Sequence, residues 1–297
     1  MSEPAMELPD RAPTVPTVRA WLTEATRVLA SAGVRDARVA AEWLALSALE
    51  IDRAALYARL GEALPPRAAA RLDAWLQRCV AREPVAYVIG RREFWSREFV
   101  VTRAVLIPRP ETEHLIEAAL ECFPDGHRGR RLQVCDVGTG SGCLGVTLAC
   151  EWPAAVVLAT DVSAAALAVA RVNAQRHGVA ARMHWVRTVA LQGLADEGFD
   201  LLVANPPYLS WAELREAEPE LEWEPRVALD GGEDGLAVIR LLVADAPRVL
   251  RPSGWFLLEV GAGQAEAVLR LVQHAGARQW FLRQDLAGWP RVVAAQW

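Results

Sequence analysis

Residues 132–142, LQVCDVGTGSG, decide the fold. A short strand over 132–135 runs into Asp136-Val137-Gly138-Thr139-Gly140-Ser141-Gly142, and a helix is predicted from about Cys143. Gly138, Gly140 and Gly142, at alternate positions, let the backbone turn sharply and bring a ligand against a helix N-terminus. A Rossmann dinucleotide site would call for glycine or alanine where this chain has Cys143, and the Lys-Ser/Thr pair of a P-loop is missing. Taken alone, the stretch leaves open a glycine-rich turn with no ligand.

Working outward downstream, apolar runs at 156–159, 184–186, 199–204, 255–260, 279–282 and 292–296 alternate with helical segments. Together with 132–135 they specify an α/β layer with a mostly parallel sheet. The second strand ends at Asp161, whose carboxylate can accept both ribose hydroxyls of a nucleoside. Its other reading is an N-cap for the alanine-rich helix that follows, although Ser163 can cap that helix itself. Loop and acid together predict a nucleoside site built from Gly138, Thr139, Gly140, Ser141, Gly142 and Asp161.

The fourth strand, 199–204, leads into Asn205-Pro206-Pro207-Tyr208 at the carboxyl end of the sheet, where ligands of open α/β sheets collect. An amide nitrogen is a poor nucleophile because its lone pair is delocalised into the carbonyl. Accepting a hydrogen bond from each N–H pushes electron density back onto nitrogen. The Asn205 side-chain oxygen and the Pro206 carbonyl can take one proton each, and the two prolines restrict φ and add no N–H donor. Tyr208 can stack on the planar group. A stiff turn with a packed tyrosine is the plainer alternative.

Upstream, the texture is helical. After a flexible tail expected over 1–17, apolar residues recur at helical spacing over 18–32 (Trp21, Leu22, Ala25, Val28, Leu29), with Gly33 as the stop. Asp36 is placed to cap the next helix, and further helical stretches follow at 53–60 and 66–81, the last opened by Pro66. A helical domain over 18–85 is predicted, then a β-hairpin linker over 86–105 with strands at 87–89 and 94–101, then a catalytic domain over 106–297. No internal repeat or low-complexity tract interrupts this order.

Composition narrows the chemistry. The chain has 297 residues, 53% of them hydrophobic, which is enough for a sizeable core and two domains. The 37 acids against 32 bases leave a net charge of -5 with the signs intermixed, which argues against a protein that grips bare nucleic acid through a basic face. Five cysteines with no C-x-x-C pair point to a reducing cytoplasm, and the N-terminus lacks the basic and apolar runs of a secretory signal. No apolar stretch reaches the ~18 residues of a membrane span, and the five histidines have no zinc-like spacing. Neither membrane nor metal is expected.

Across nearly its whole length the chain resembles the protein-(glutamine-N5) methyltransferases. The resemblance rests on YVIGRREF (87–94), LIPRPETE (106–113), DVGTGSG (136–142), NPPY (205–208), Glu224-Pro225-Arg226 with Ala228-Leu229, Asp234-Gly235-Leu236, LEVG (258–261) and Asp285-Leu286 with Arg291-Val292. It implies a small N-terminal helical bundle for substrate recognition, a hairpin linker and a seven-stranded class I methyltransferase fold dependent on S-adenosyl-L-methionine. The implied substrate is the glutamine amide in the Gly-Gly-Gln loop of bacterial peptide chain release factors, and a monomer without direct nucleic-acid contact is expected. On matching positions, Gly138 to Gly142 and Asp161 would hold the cofactor, Asn205 would lie between cofactor and substrate, and Asn205, Pro206, Pro207 and Tyr208 would clasp the amide. Arg109 would sit beside the site, with an ion pair to Glu111 or Glu113 as its plainer reading. Glu259 is read as tying strand to loop rather than as a base, because a methylated amide loses its proton without help.

One departure matters. After the third strand the family pattern offers an acid followed by an aromatic residue near the adenine, and here Val189 and Ala190 fill those places. Weaker cofactor binding is expected in consequence. Rival readings are glutamine methylation of a ribosomal protein, adenine-N6 methylation of DNA, which the acidic balance disfavours, and a non-catalytic protein that binds release factors or the cofactor.

Overall fold

The computed structural model describes residues 15–124 and 131–297. Most of the expected tail, residues 1–14, and His127 lie outside the described residues. The chain divides into two compact units, Met1–Ile89 and Gly90–Trp297.

The described residues of the first unit form five helices: α1 (Val18–Ser31), α2 (Ala37–Leu49), α3 (Arg53–Ala58), α4 (Pro66–Val80) and α5 (Val85–Ile89). Trp21, Ala25 and Leu29 repeat at four-residue spacing along α1 and bury one stripe against Ala41, Leu44 and Ala45 of α2. Thr17 caps α1, and Gly33 takes a φ of 77° just beyond its end. Asp36 occupies the N-cap position of α2 with a left-handed φ of 49° and makes no side-chain cap, contrary to the sequence expectation. Asp52 does cap α3, accepting from Ala55 N. The strand expected at 87–89 is also corrected, since Tyr87 and Val88 bond back to the Pro84 carbonyl as part of α5. Three apolar residues are too few to distinguish a strand from a buried helical turn.

The second unit opens with a hairpin, β1 (Arg91–Phe94) and β2 (Arg97–Val100). Its two-residue turn, Trp95-Ser96, has positive φ at both positions, as the twist of a tight hairpin requires. The hairpin falls within this unit. Asn173 of α8 (Ala164–Arg176) bonds both the N–H and the carbonyl of Val100, at 2.8 and 3.0 Å, and Phe94 and Phe99 are fully buried.

After α6 (Glu113–Cys122) comes a seven-stranded sheet: β3 (Gln133–Val137), β4 (Val156–Asp161), β5 (Met183–Arg187), β6 (Phe199–Ala204), β7 (Leu250–Glu259), β8 (Gln279–Gln284) and β9 (Pro290–Gln296). The strand order is β5-β4-β3-β6-β7-β9-β8, parallel except for β9, which runs antiparallel to both neighbours. Helices α7 (Cys143–Glu151), α8, α9 (Trp211–Arg215), α10 (Ala237–Val249) and α11 (Ala265–His274) complete the unit. Two apolar clusters form its core, and every residue of β6 is buried between them.

This strand order places the site. The chain enters at β3, runs outward through β4 and β5, then returns to pair β6 on the other side of β3. The crevice of an open α/β sheet lies at such a reversal. In register, Val137 faces Ala204 and Ala204 faces Leu258, so Gly138, Asn205 and Glu259 leave three adjacent strands at one edge.

Candidate active site

The glycine loop is shaped by two carboxylates. Gly138, Gly140 and Gly142 all have positive φ, between 54° and 84°, which is how five residues reverse into α7. Asp136, wholly buried under the loop, accepts from the Thr139 hydroxyl at 2.6 Å and from Gly145 N at 2.9 Å. A Cβ on Gly145 would stand 2.8 Å from that carboxylate, so the approach needs glycine. Burial pushes the Asp136 carboxyl up to about 6, against the pull of those two hydrogen bonds. Asp161 Oδ2 accepts from Gly140 N at 3.0 Å, and its Oδ1 from Ser163 N at 2.8 Å. Ser163, not Asp161, caps α8 through Ala166 N. Each Asp161 oxygen keeps a second lone pair for a ligand hydroxyl.

The tetrapeptide leaves β6 beside this loop. Asn205 Nδ2 donates to the Thr112 hydroxyl at 2.9 Å, Thr112 donates to Glu259 Oε2 at 2.6 Å, and the Tyr208 hydroxyl donates to Glu259 Oε1 at 3.3 Å. Gln264 Nε2 bonds the Tyr208 carbonyl at 2.9 Å while its Oε1 accepts from Gly261 N. Close packing there accounts for the glycine of Asp234-Gly235-Leu236: a Cβ on Gly235 would lie 2.3 Å from the Tyr208 carbonyl oxygen, at a φ of 76°. Among the described residues, neither Asn205 Oδ1 nor the Pro206 carbonyl accepts a hydrogen bond from the protein.

Glu259 ties strand to loop as read from the sequence. Burial pushes its carboxyl up to about 7; the Thr112 and Tyr208 hydroxyls and Arg291 pull it down, and Glu111 pushes it further up. Burial and the neighbouring Glu259 charge also raise the Tyr208 phenol. Arg109 pairs with neither Glu111 nor Glu113. Its partner is Glu224, a buried carboxylate that also accepts from Ile107 N at 3.0 Å, while Glu113 accepts from Trp95 N. With Arg103 stacked 4.0 Å over the Trp223 ring, this pair binds the 103–109 segment to the 223–224 segment.

One cavity collects most of the sequence-predicted residues. Gly138, Thr139, Gly140, Ser141, Asp161, Asn205, Pro206 and Pro207 line it, together with Thr112, Val189 and Ala190. Gly142 and Tyr208 are not on its wall. Gly142 is turned against Ala170, and Tyr208 is anchored through Glu259 and Gln264. Val238, Leu241 and Leu242 of α10 supply an aliphatic side. Sequence reasoning did not single out Thr112, Asp136, Glu224 or Gln264. The first three sit inside quoted motifs, and that membership was the signal available; Gln264 lies three residues past LEVG.

Comparison with known proteins identifies the family. Residues 20–90 match the family model described as PrmC N-terminal domain, and residues 116–217 match the Methyltransferase small domain. The chain is 42% identical to the release factor glutamine methyltransferase of Geobacter sulfurreducens, over 96% of this chain and 98% of that one. It is 46% identical to the protein of the same name from Cereibacter sphaeroides, over 90% and 94%. Among solved structures, the hMettl16 catalytic domain in complex with MAT2A 3'UTR hairpin 6 shares the fold at a TM-score of 0.55 and 14% identity, covering 76% of this chain and 81% of that one. A methyltransferase from Pyrococcus furiosus shares it at 0.50 and 17%, covering 76% and 96%. On identity sustained over nearly the full length, the chain belongs to the release factor glutamine methyltransferase family.

Proposed function

We propose that this chain transfers a methyl group from S-adenosyl-L-methionine to the side-chain amide nitrogen of the glutamine in the Gly-Gly-Gln motif of bacterial peptide chain release factors. One observation carries the reading: Asn205 Oδ1 and the Pro206 carbonyl, two acceptors beside the cavity, have no protein donor among the described residues. A primary amide brings two N–H donors, one for each.

The lining residues fit the cofactor in kind. Asp161 offers carboxylate oxygens to ribose hydroxyls, the 138–141 backbone leads into the N-terminus of α7, and Val189, Val238 and Leu241 give apolar walls for a planar base. When bound, the cofactor supplies an electrophilic methyl group on a sulfonium. The protein's contribution is placement: Asn205 and Pro206 draw on the amide protons and raise electron density at nitrogen, and the proline pair keeps those acceptors rigid. Tyr208, tethered at its carbonyl and its hydroxyl, fixes the exit of the tetrapeptide. No base is assigned, since the methylated amide releases its extra proton readily. The helical unit, over about 18–85, is assigned substrate recognition, with the protein acting as a cytoplasmic monomer.

The test is to incubate the protein with methyl-labelled cofactor and a ribosomal extract, then identify the labelled residue. Label on the Gly-Gly-Gln glutamine of a release factor is expected. Label on DNA, or on a ribosomal protein alone, would overturn the substrate assignment. In Asn205→Ala, transfer should fall at least ~100-fold, the scale for losing one aligned polar contact to the reacting group, with cofactor binding largely kept. Near-normal turnover in that variant would sink the clasp.

A further inference from the structure

Asn205 can serve as an acceptor only if its amide is turned the right way, and two residues outside the tetrapeptide control that turn. Thr112 and Glu259 are both 1% exposed, so water does not compete for their hydrogen bonds. A hydroxyl has a single proton. Thr112 gives its proton to Glu259 at 2.6 Å, and what remains is the capacity to accept. It therefore selects the NH2 side of Asn205, seen at 2.9 Å, and rejects the carbonyl side. Because the side-chain amide is planar, holding Nδ2 on Thr112 leaves Oδ1 directed away from it and open to a ligand.

We propose that Thr112 and Glu259 are positioning residues for methyl transfer, a relay that sets the flip of the Asn205 amide while the same carboxylate anchors Tyr208. The proposal rests on the amide-clasp reading above and adds what keeps the clasp in its accepting state. Direction in the relay comes from the charge on Glu259. An ionised carboxylate can only accept, so every bond in the chain from Asn205 through Thr112 points toward it. A neutral carboxyl can instead donate to Thr112, which would then donate to Asn205 and select its carbonyl. Asn205 would present NH2 to a substrate NH2, and the clasp would be lost.

The groups that act on Glu259 come from each neighbouring element. They are Glu111 and Thr112 before α6, Cys143 at the start of α7, Tyr208 after β6 and Arg291 on β9. Burial holds the Cys143 thiol up at about 12 and raises the Tyr208 phenol, so neither titrates near neutrality. Glu259, pushed up to about 7, does.

The experiment uses the full chain with purified release factor and S-adenosyl-L-methionine. Thr112→Val, which keeps the shape and loses the hydroxyl, should lower kcat about 100-fold, the cost of a misplaced reacting group, and leave the cofactor KM unchanged. Thr112→Ser should restore most of it. Wild-type kcat should rise with pH through about 7, and Glu259→Gln should be slow without that limb. A Thr112→Val variant with wild-type kcat, or a Glu259→Gln variant with the same pH profile, overturns the relay. A second readout needs no turnover: in 15N spectra the Asn205 side-chain NH2 should be protected from exchange in wild type and Thr112→Ser, and exposed in Thr112→Val. Equal exchange in all three refutes the proposal even if the substrate is misassigned, and protection in a chain that does not methylate release factor refutes only the substrate.

Discussion

Two buried carboxylates stand on strands that flank β6, and they organise the cavity in opposite ways. Asp136, in β3, bonds the Thr139 hydroxyl and Gly145 N, three and nine residues along the chain. Glu259, at the end of β7, bonds the hydroxyls of Thr112 and Tyr208, 147 and 51 residues away. Asp136 shapes one loop from its own backbone, whereas Glu259 joins three loops through side chains. A local anchor is bound up with folding, and a distant one with the geometry of the reacting group.

Removing the local anchor should have the largest effect on stability. Asp136→Ala leaves a buried hydroxyl and a buried N–H without their acceptor, at about 1–3 kcal/mol each. A loss of about 2–6 kcal/mol in urea unfolding is expected, with weakened cofactor binding. Glu259→Gln keeps the shape and one acceptor oxygen and removes a buried ionisable group, so it should cost turnover and little or no stability. If the two variants lose stability and turnover in equal proportion, the contrast between the anchors is false.

The contrast sharpens with pH. Glu259 has a folded pKa of about 7, above the ordinary carboxylate value of 4.5, so the folded chain holds its proton more tightly than the unfolded one. That stabilisation is fully present below about pH 4.5 and is lost as pH rises through about 7. Asp136 follows the same sign up to about 6. Asp234, lowered to about 2 mainly by its hydrogen bond with Arg240, has the opposite sign but lies at the surface. Comparing wild type with Glu259→Gln cancels these other groups. The two should unfold alike near pH 5, and the glutamine variant should gain by about 1–3 kcal/mol at pH 8, one pKa unit being worth about 1.4. A difference that does not vary with pH would show that Glu259 carries no extra proton in the folded state. In the proposed relay the ionised form serves catalysis and weakens the fold, the usual opposition between a working site and stability.

The same division governs what the sequence made legible. The glycine loop, the run of strands and Ser163 as the cap of α8 could be read directly, because each is written in neighbouring residues. The tetrapeptide could be read as two acceptors, since Asn205 and Pro206 adjoin. Thr112 could not be joined to Asn205 from sequence: the two are 93 residues apart, with four strands of the sheet between them. Arg109 failed for a related reason. Its sequence neighbours Glu111 and Glu113 were the visible partners, and the fold brings Glu224 to it instead. At 87–89, a short apolar run read as strand proved to be the end of the helical unit, because Pro84 had already supplied the turn.

The smallest expected effect concerns the cavity wall at Val189, where the family resemblance implies an acid. Val189 follows β5, lines the cavity and is 50% exposed, while Ala190 beside it is held at a φ of 49°. The loop there is fixed by its own backbone, with Thr188 N bonded to the Asp161 carbonyl and Gln192 N to the Val189 carbonyl. A substitution at 189 should therefore alter the wall without moving Asp161. A carboxylate placed there could accept from an adenine amino group, and one net hydrogen bond at a half-exposed position contributes about 0.5–1.5 kcal/mol. Val189→Asp should accordingly tighten S-adenosyl-L-methionine binding about two- to tenfold by calorimetry, with kcat unchanged because neither Asn205 nor the Glu259 relay is touched. Unchanged affinity would mean that the aliphatic wall of Val189, Val238 and Leu241 already holds the base as well as the acid would.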